Sequence, residues 1–183
     1  MMRSYIPVTM LDNVVNFRRS ILFAPLVWAF PSLAKPALPP ELVGYAGEAL
    51  AELIDAARRE AIADGVSAMP PRIYRDLLGF FPADELRHVR WGVGGKGVLE
   101  LPSLAFEYGD AVAMTLGEVV MFKSEHDAES DAKLWAHEMT HVMQYQRWGV
   151  EGFAARYAQD SAAVEKEAID NANRFVAWSH GRE

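Results

Sequence analysis

In the stretch LWAHEMTHVMQYQ (Leu134–Gln146), two histidines stand four residues apart and a glutamate directly follows the first. On a helix, four residues turn through about 400°, so His137 and His141 leave one face roughly 6 Å apart along the axis. That separation lets both imidazoles reach a single zinc ion at about 2.0–2.1 Å. Glu138 lies beside this face, placed to reach a water on the ion rather than the ion itself. The H-E-x-x-H pattern thus divides labour between two ligands and one general base. The flanking Leu134, Trp135, Met139, Val142 and Met143 predict a buried helix, where each histidine needs a partner. The plainer alternative is a pair of core histidines satisfied by backbone or carboxylate.

A catalytic zinc needs a third protein ligand and an open position. His88, His126, His180 and several carboxylates are available, with downstream acids favoured because a following helix can return antiparallel to the first. AAVEKEAIDNANRF carries Glu165 and Glu167, and helical phase separates them. Glu165 shares a stripe with Ala162, Ala168, Ile169, Ala172 and Val176, whereas Glu167 lies with Asp170, Asn171 and Arg174. Glu165 is therefore expected to point inward, where an unpaired carboxylate is costly unless it meets a cation, and Glu167 outward. A salt bridge from Glu165 to an arginine such as Arg156 is the alternative.

The elements that must position these residues follow from periodicity. Glu41–Ala63 has apolar residues at three- and four-residue intervals and is stopped by Asp64-Gly65. PPRIYRDLLGFFPADELRHV predicts two short helices opened by prolines, with Gly79 between them. RHVRWGV, GVLEL, AVAMTL and EVVMFK read as short strands, the last two forming a hairpin around Gly117. Helical periodicity returns after Ser124 and stops at Gly149. FAARYA is a further short helix, and the last helix begins with Ser161 as its cap. Helices, a small antiparallel sheet and helices again define an α+β fold.

The chain has 183 residues, 51% of them hydrophobic, enough for a core without disulfides, and it has no cysteine. Any metal must be held by histidine and carboxylate. A balance of 18 basic against 25 acidic residues, net −7, with no basic run, argues against nucleic-acid binding. Residues 1–36 stand apart from a domain at 37–183. Arg18 and Arg19 precede the apolar SILFAPLVWAF, small residues follow near Ala34, and PSLAKPALPPEL reads as a linker. This is the layout of a signal peptide or anchor, too short to span a membrane as a helix. A cleaved signal implies a secreted or periplasmic protein; a segment packed on the domain leaves it cytoplasmic.

LWAHEMTHVMQYQRWGV followed by VEKEA resembles a small bacterial metallopeptidase-type domain of unknown function, itself similar to the minimal gluzincins. The resemblance covers roughly Leu86 to Asn173. It implies a zincin-like fold, a Zn2+ cofactor, a peptide or protein substrate, and hydrolysis of peptide bonds. It implies His137, His141 and Glu165 as metal ligands and Glu138 as base. It also implies that EVVMFKS is an edge strand above the cleft that pairs with extended substrate. Larger gluzincins often place an aspartate four residues after the ligand glutamate, to orient a histidine; here that position is Ile169, with Asp170 one step on. A donor for the reaction's oxyanion is also expected. Tyr157 is put first for it, ahead of Arg156, Tyr145 and His180.

Three other signals compete. ELRH and EMTH are paired E-x-x-H units, as in a di-iron carboxylate oxidase, but VRWGVGG follows the first at once. A non-catalytic, zinc-stabilised binding or assembly module is the alternative outside enzymes; an intact Glu138 argues against it, because a structural site gains nothing from a base. GVGGKG matches a nucleotide-loop spacing but precedes VLELP rather than a helix, and reads as a turn. His126, in SEHDAESDA, reads as solvent-exposed.

Overall fold

The computed structural model of the chain describes residues 40–94 and 112–182. The N-terminal apolar segment, most of the proline-rich linker and GVLEL, expected as a strand, lie outside the described residues. The structure is a mixed α+β fold, largely helical, with one four-stranded sheet.

Helix α1 (Pro40–Asp64) ends at Gly65, whose φ of 101° suits glycine. Of the periodic residues Tyr45, Ala46, Ala49, Leu50, Leu53, Ile54 and Ala57, it buries Ile54 and Ala57, and its buried stripe is completed by Gly47, Ala51 and Ala61. Tyr45 and Leu53 point outward, 71% and 42% exposed. Small residues face inward because α1 lies close against a later helix: a Cβ on Gly47 would sit 3.0 Å from the Ala155 Cα.

Strand β1 (Ser67–Ala68) leads to α2 (Pro71–Leu77) and α3 (Ala83–His88), each preceded by an extended proline, with Gly79 turning between them at φ 95°. They bury Ile73, Leu77 and Leu86. β2 (Arg90–Val93), β3 (Ala113–Leu116) and β4 (Val119–Phe122) complete the sheet in the order β1-β2-β4-β3. β3 and β4 form the expected hairpin, in register Met114↔Met121 and Thr115↔Val120, through Gly117 at φ 69°.

Two expectations are corrected here. The sheet is not purely antiparallel, because β2 pairs with β4 in parallel. A parallel pair cannot be joined by a tight turn, and Val93 and Val119 are far apart in the sequence. Nor is EVVMFKS an edge: β4 lies between β2 and β3, all four of its residues are buried, and β1 and β3 are the outer strands among the described residues. VVMF is an unbroken apolar run, the pattern of a strand covered on both faces.

Helix α4 (Glu125–Ser130) is capped by the Ser124 side chain, which accepts from the Asp127 amide at 3.2 Å. Helix α5 (Ala132–His180) follows, with the Asp131 carboxylate accepting from the Leu134 amide at 2.8 Å. It is broken twice, at Gly149 (φ 70°, ψ 172°) and at Asp160 (φ −152°, ψ 78°), into segments 132–148, 150–159 and 161–180. Asp160, rather than Ser161, caps the third segment: its Oδ1 accepts from the Ala163 amide at 3.0 Å. The third segment runs back along the first, with Asn171 bonded to Thr140 and Gln144 to Val164 and Glu167. The first segment lies between two cores. Trp135, Met139 and Val142 join β2, β4, α2 and the end of α5 in one. Tyr145 joins α1 and the second segment in the other.

Replacing either glycine of α1 by alanine gains the same helix propensity, up to about 1 kcal/mol. Gly44 faces open space and Gly47 faces the Ala155 backbone. Gly44→Ala is therefore expected to stabilise the protein in urea unfolding. Gly47→Ala is expected to destabilise it by about 1–3 kcal/mol through overpacking.

Candidate metal centre

The first segment of α5 buries His137, Glu138 and His141 to 6% exposure or less, on a helix held by apolar residues on both sides. The ring nitrogens converge, His137 Nε2 lying 3.0 Å from His141 Nε2. The two breaks in α5 bring Glu165 back to them. Its Oε2 is 3.3 Å from His137 Nε2 and 3.6 Å from His141 Nε2. Among the described residues, these three form the one group of histidine and acid side chains close enough to hold a metal ion. Glu165 faces inward, as its helical phase predicts. Arg156 does not pair with it and lies instead over the Trp148 ring at 4.8 Å.

Two observations test whether a metal fits. Glu165 Oε2 is buried and has no hydrogen-bond partner, a costly state for a carboxylate oxygen. A tetrahedral ion with bonds of roughly 2.0–2.1 Å spaces its ligands about 3.3–3.4 Å apart. The observed triangle of 3.0, 3.3 and 3.6 Å brackets that spacing. Two imidazoles and a carboxylate suit zinc-type coordination, and three protein ligands leave a position open.

Each group has a support. His141 Nδ1 is 2.8 Å from Gln144 Oε1, and Gln144 Nε2 donates to Val164 O (3.2 Å) and Glu167 Oε2 (3.0 Å). Glu167 is half-buried and pairs with Arg147 at 2.7 Å. Tyr157 donates to Glu165 Oε1 at 2.9 Å, so its hydroxyl is engaged with the carboxylate that faces the two histidines. Tyr145 and Tyr157 stack on either side of Phe153, at 3.9 and 5.6 Å between centroids, which ties the second segment to the site. Thr115, on β3, donates to Glu138 Oε2 at 2.7 Å. Tyr145 in turn donates to the Thr115 carbonyl at 3.2 Å. Thr115 and Gln144 are the residues that sequence reasoning missed. A lone hydroxyl in an apolar strand, and an amide three residues after the second histidine of the motif, were the available signals.

Burial disfavours a charged His141, but the Glu165 and Glu138 carboxylates and Gln144 outweigh it and hold its pKa at about 9. Burial also disfavours the Glu165 carboxylate, and the two histidines outweigh that, holding it well below the ordinary range. Burial and Glu165 push the Tyr157 phenol up, so it remains a neutral donor.

The other sequence candidates fall elsewhere. Ile169 is 41% exposed and Asp170 pairs with Lys166, so neither orients a histidine. His180 and His126 are exposed. Glu85 bonds to Gln146 and His88 to the Asp84 carbonyl, both at the exterior. As the VRWGVGG run implied against a di-iron pairing, α3 is six residues long and β2 begins at Arg90, too soon for this E-x-x-H unit to join the site.

Fold and site together define a mixed α+β protein with a two-histidine, one-glutamate metal-type centre. Residues 68–149 match the model of the family described as the eCIS core domain. That span takes in the sheet and the H-E-x-x-H helix and stops before Glu165. No curated protein matches the chain, and no solved structure does. No helix among the described residues is long and apolar enough to cross a membrane.

Two predictions test the centre. Zinc titration is expected to give about one ion per chain. Glu165→Ala should weaken binding by more than about 100-fold, beyond the roughly 10–100-fold typical of outer-shell changes, and Glu167→Ala by about tenfold or less. Proton linkage gives the second. The His141 pKa is raised above its unfolded value of 6.5, so its charge pair with Glu165 stabilises the metal-free protein fully below about 6.5 and is lost as pH rises through about 9. Zinc must displace that proton, so its affinity should rise over the same window in which metal-free thermal stability falls.

Proposed function

We propose that this chain is a zinc-dependent peptidase with a zincin-like fold of the gluzincin type. The observation that carries this reading is the convergence of His137 Nε2, His141 Nε2 and Glu165 Oε2 beside the buried carboxylate of Glu138. Zinc, when bound, supplies a Lewis acid that polarises a carbonyl and acidifies water. Glu138 then serves as the proton carrier. It accepts a proton from the attacking water and delivers it to the leaving nitrogen. Thr115 holds one oxygen of that carboxylate and so orients it.

The same threonine relates the base to a place for substrate. β3 is one of the two outer strands among the described residues, and it carries Thr115. An extended peptide adding to β3 would run beside Glu138, with backbone hydrogen bonds providing the register. Tyr157 is engaged with Glu165, so its first role is to orient that ligand. A role on the oxyanion would require it to leave that bond.

The match to the eCIS core domain supports a second component, action in company with the proteins of an extracellular contractile injection system. It also favours an alternative, a zinc-stabilised assembly module without turnover. The buried, oriented Glu138 favours the enzyme, because a structural site has no use for a base.

Digestion of a proteome-derived peptide library separates the two. The wild-type protein is expected to generate new cleavage sites. Glu138→Gln should retain zinc and lose cleavage by at least about 100-fold, the scale of general-base catalysis. Zinc binding with no cleavage by wild type would establish the module instead.

A further inference from the structure

We infer that Gln144 is a positioning residue that locks His141 in the ring form able to offer Nε2 to a metal, and that ties this ring to the backbone beside Glu165. The inference rests on the metal-site reading of the cluster. Gln144 is fully buried. Its Nε2 lies 3.2 Å from the Val164 carbonyl oxygen and 3.0 Å from Glu167 Oε2. A carbonyl can only accept, and so can the Glu167 carboxylate, which is paired with Arg147 at 2.7 Å. Both amide protons must therefore point at these two groups.

That leaves the amide oxygen facing His141 Nδ1 at 2.8 Å. An amide oxygen can only accept, so Nδ1 carries the proton. A neutral imidazole has one N–H, and its lone pair is then on Nε2, the atom directed at His137 Nε2 and Glu165 Oε2. Flipping the amide would set its oxygen against a carbonyl and a carboxylate, three acceptors with no proton between them. The orientation is thus decided by hydrogen-bond supply.

Gln144 also bridges two helical segments. It lies on the first segment of α5 with His141, and it holds the carbonyl of Val164, the residue before Glu165, on the third. One side chain thereby sets the ring of one ligand and the backbone position of another. It does so as a neutral amide, where a carboxylate partner would add negative charge. Ligand charge at the site is then the single carboxylate of Glu165, which leaves a bound dication with net positive charge.

The test uses the full chain with histidines labelled by 15N. In the zinc-loaded wild-type protein, NMR of the His141 ring is expected to show the proton on Nδ1; a proton on Nε2 would overturn the inference. Gln144→Leu, similar in volume, should lower zinc affinity about 10–100-fold, whereas binding within about twofold of wild type would mean that Gln144 only fills space. Gln144→Glu keeps an acceptor for His141 but sets like charges against each other at Glu167, and should lose affinity similarly. Combining it with Glu167→Gln removes the clash at Glu167 but leaves two acceptors facing each other at Val164, so partial recovery is expected; affinity back at the wild-type level would contradict the tie to Val164. Should the wild-type protein bind no zinc, the metal-site reading fails separately. The ring of the metal-free protein, neutral at alkaline pH, then still decides: Nδ1–H supports the lock and Nε2–H overturns it.

Discussion

Two imidazoles and a carboxylate meet at one buried point, and much of the structure answers that requirement. Such a cluster is unfavourable in a protein interior unless a cation or protons neutralise it. In the metal-free protein a proton does so, which is why His141 is held as high as about 9 while Glu165 is held low. A divalent ion would replace that proton. Glu165 Oε2, which has no hydrogen-bond partner and faces both histidine nitrogens at 3.3 and 3.6 Å, is the oxygen such an ion would meet.

The chain reaches this arrangement by breaking a helix twice. Without the breaks at Gly149 and Asp160, Glu165 would continue away from the histidines along the same axis. Gly149 has a φ of 70° and a ψ of 172°, a combination nearly restricted to glycine, and Asp160 caps the returning segment. The second segment crosses between the two breaks. Its Phe153 lies between Tyr145 and Tyr157, so the same aromatic stack that packs the segment delivers a hydroxyl to Glu165. α1 closes over this region with small residues, letting the backbones approach. The site is therefore built mostly from one long helical stretch folded on itself, and β3 contributes the single hydroxyl that orients Glu138.

The parts legible in the sequence were those governed by local periodicity. His137 and His141 share a face because of their spacing. Glu165 and Glu167 separate by helical phase, one toward the cluster and the other toward Arg147. The hairpin at Gly117 and the break at Gly149 follow from glycine. The parts that were not legible depend on long-range pairing. The placement of β4 inside the sheet needs the parallel pairing with β2, although its unbroken VVMF run carried a trace of it. Periodicity places Ile54 and Ala57 of α1 inside but not Gly47, Ala51 and Ala61, because it weights large apolar residues whereas close helix packing selects small ones. Thr115 and Gln144 have no pattern of their own; each matters only through the residue that tertiary structure places opposite it.

The central claim is that two nitrogens and one carboxylate oxygen of this chain hold a zinc ion with one position left open. X-ray absorption at the zinc edge of the loaded protein, wild type against Glu165→Ala, addresses it most directly. The account predicts a shell of about four light atoms at roughly 2.0–2.1 Å, with two imidazole signatures, and loss of the defined site in the variant. An unchanged shell in Glu165→Ala, or three or more imidazoles in wild type, would contradict it.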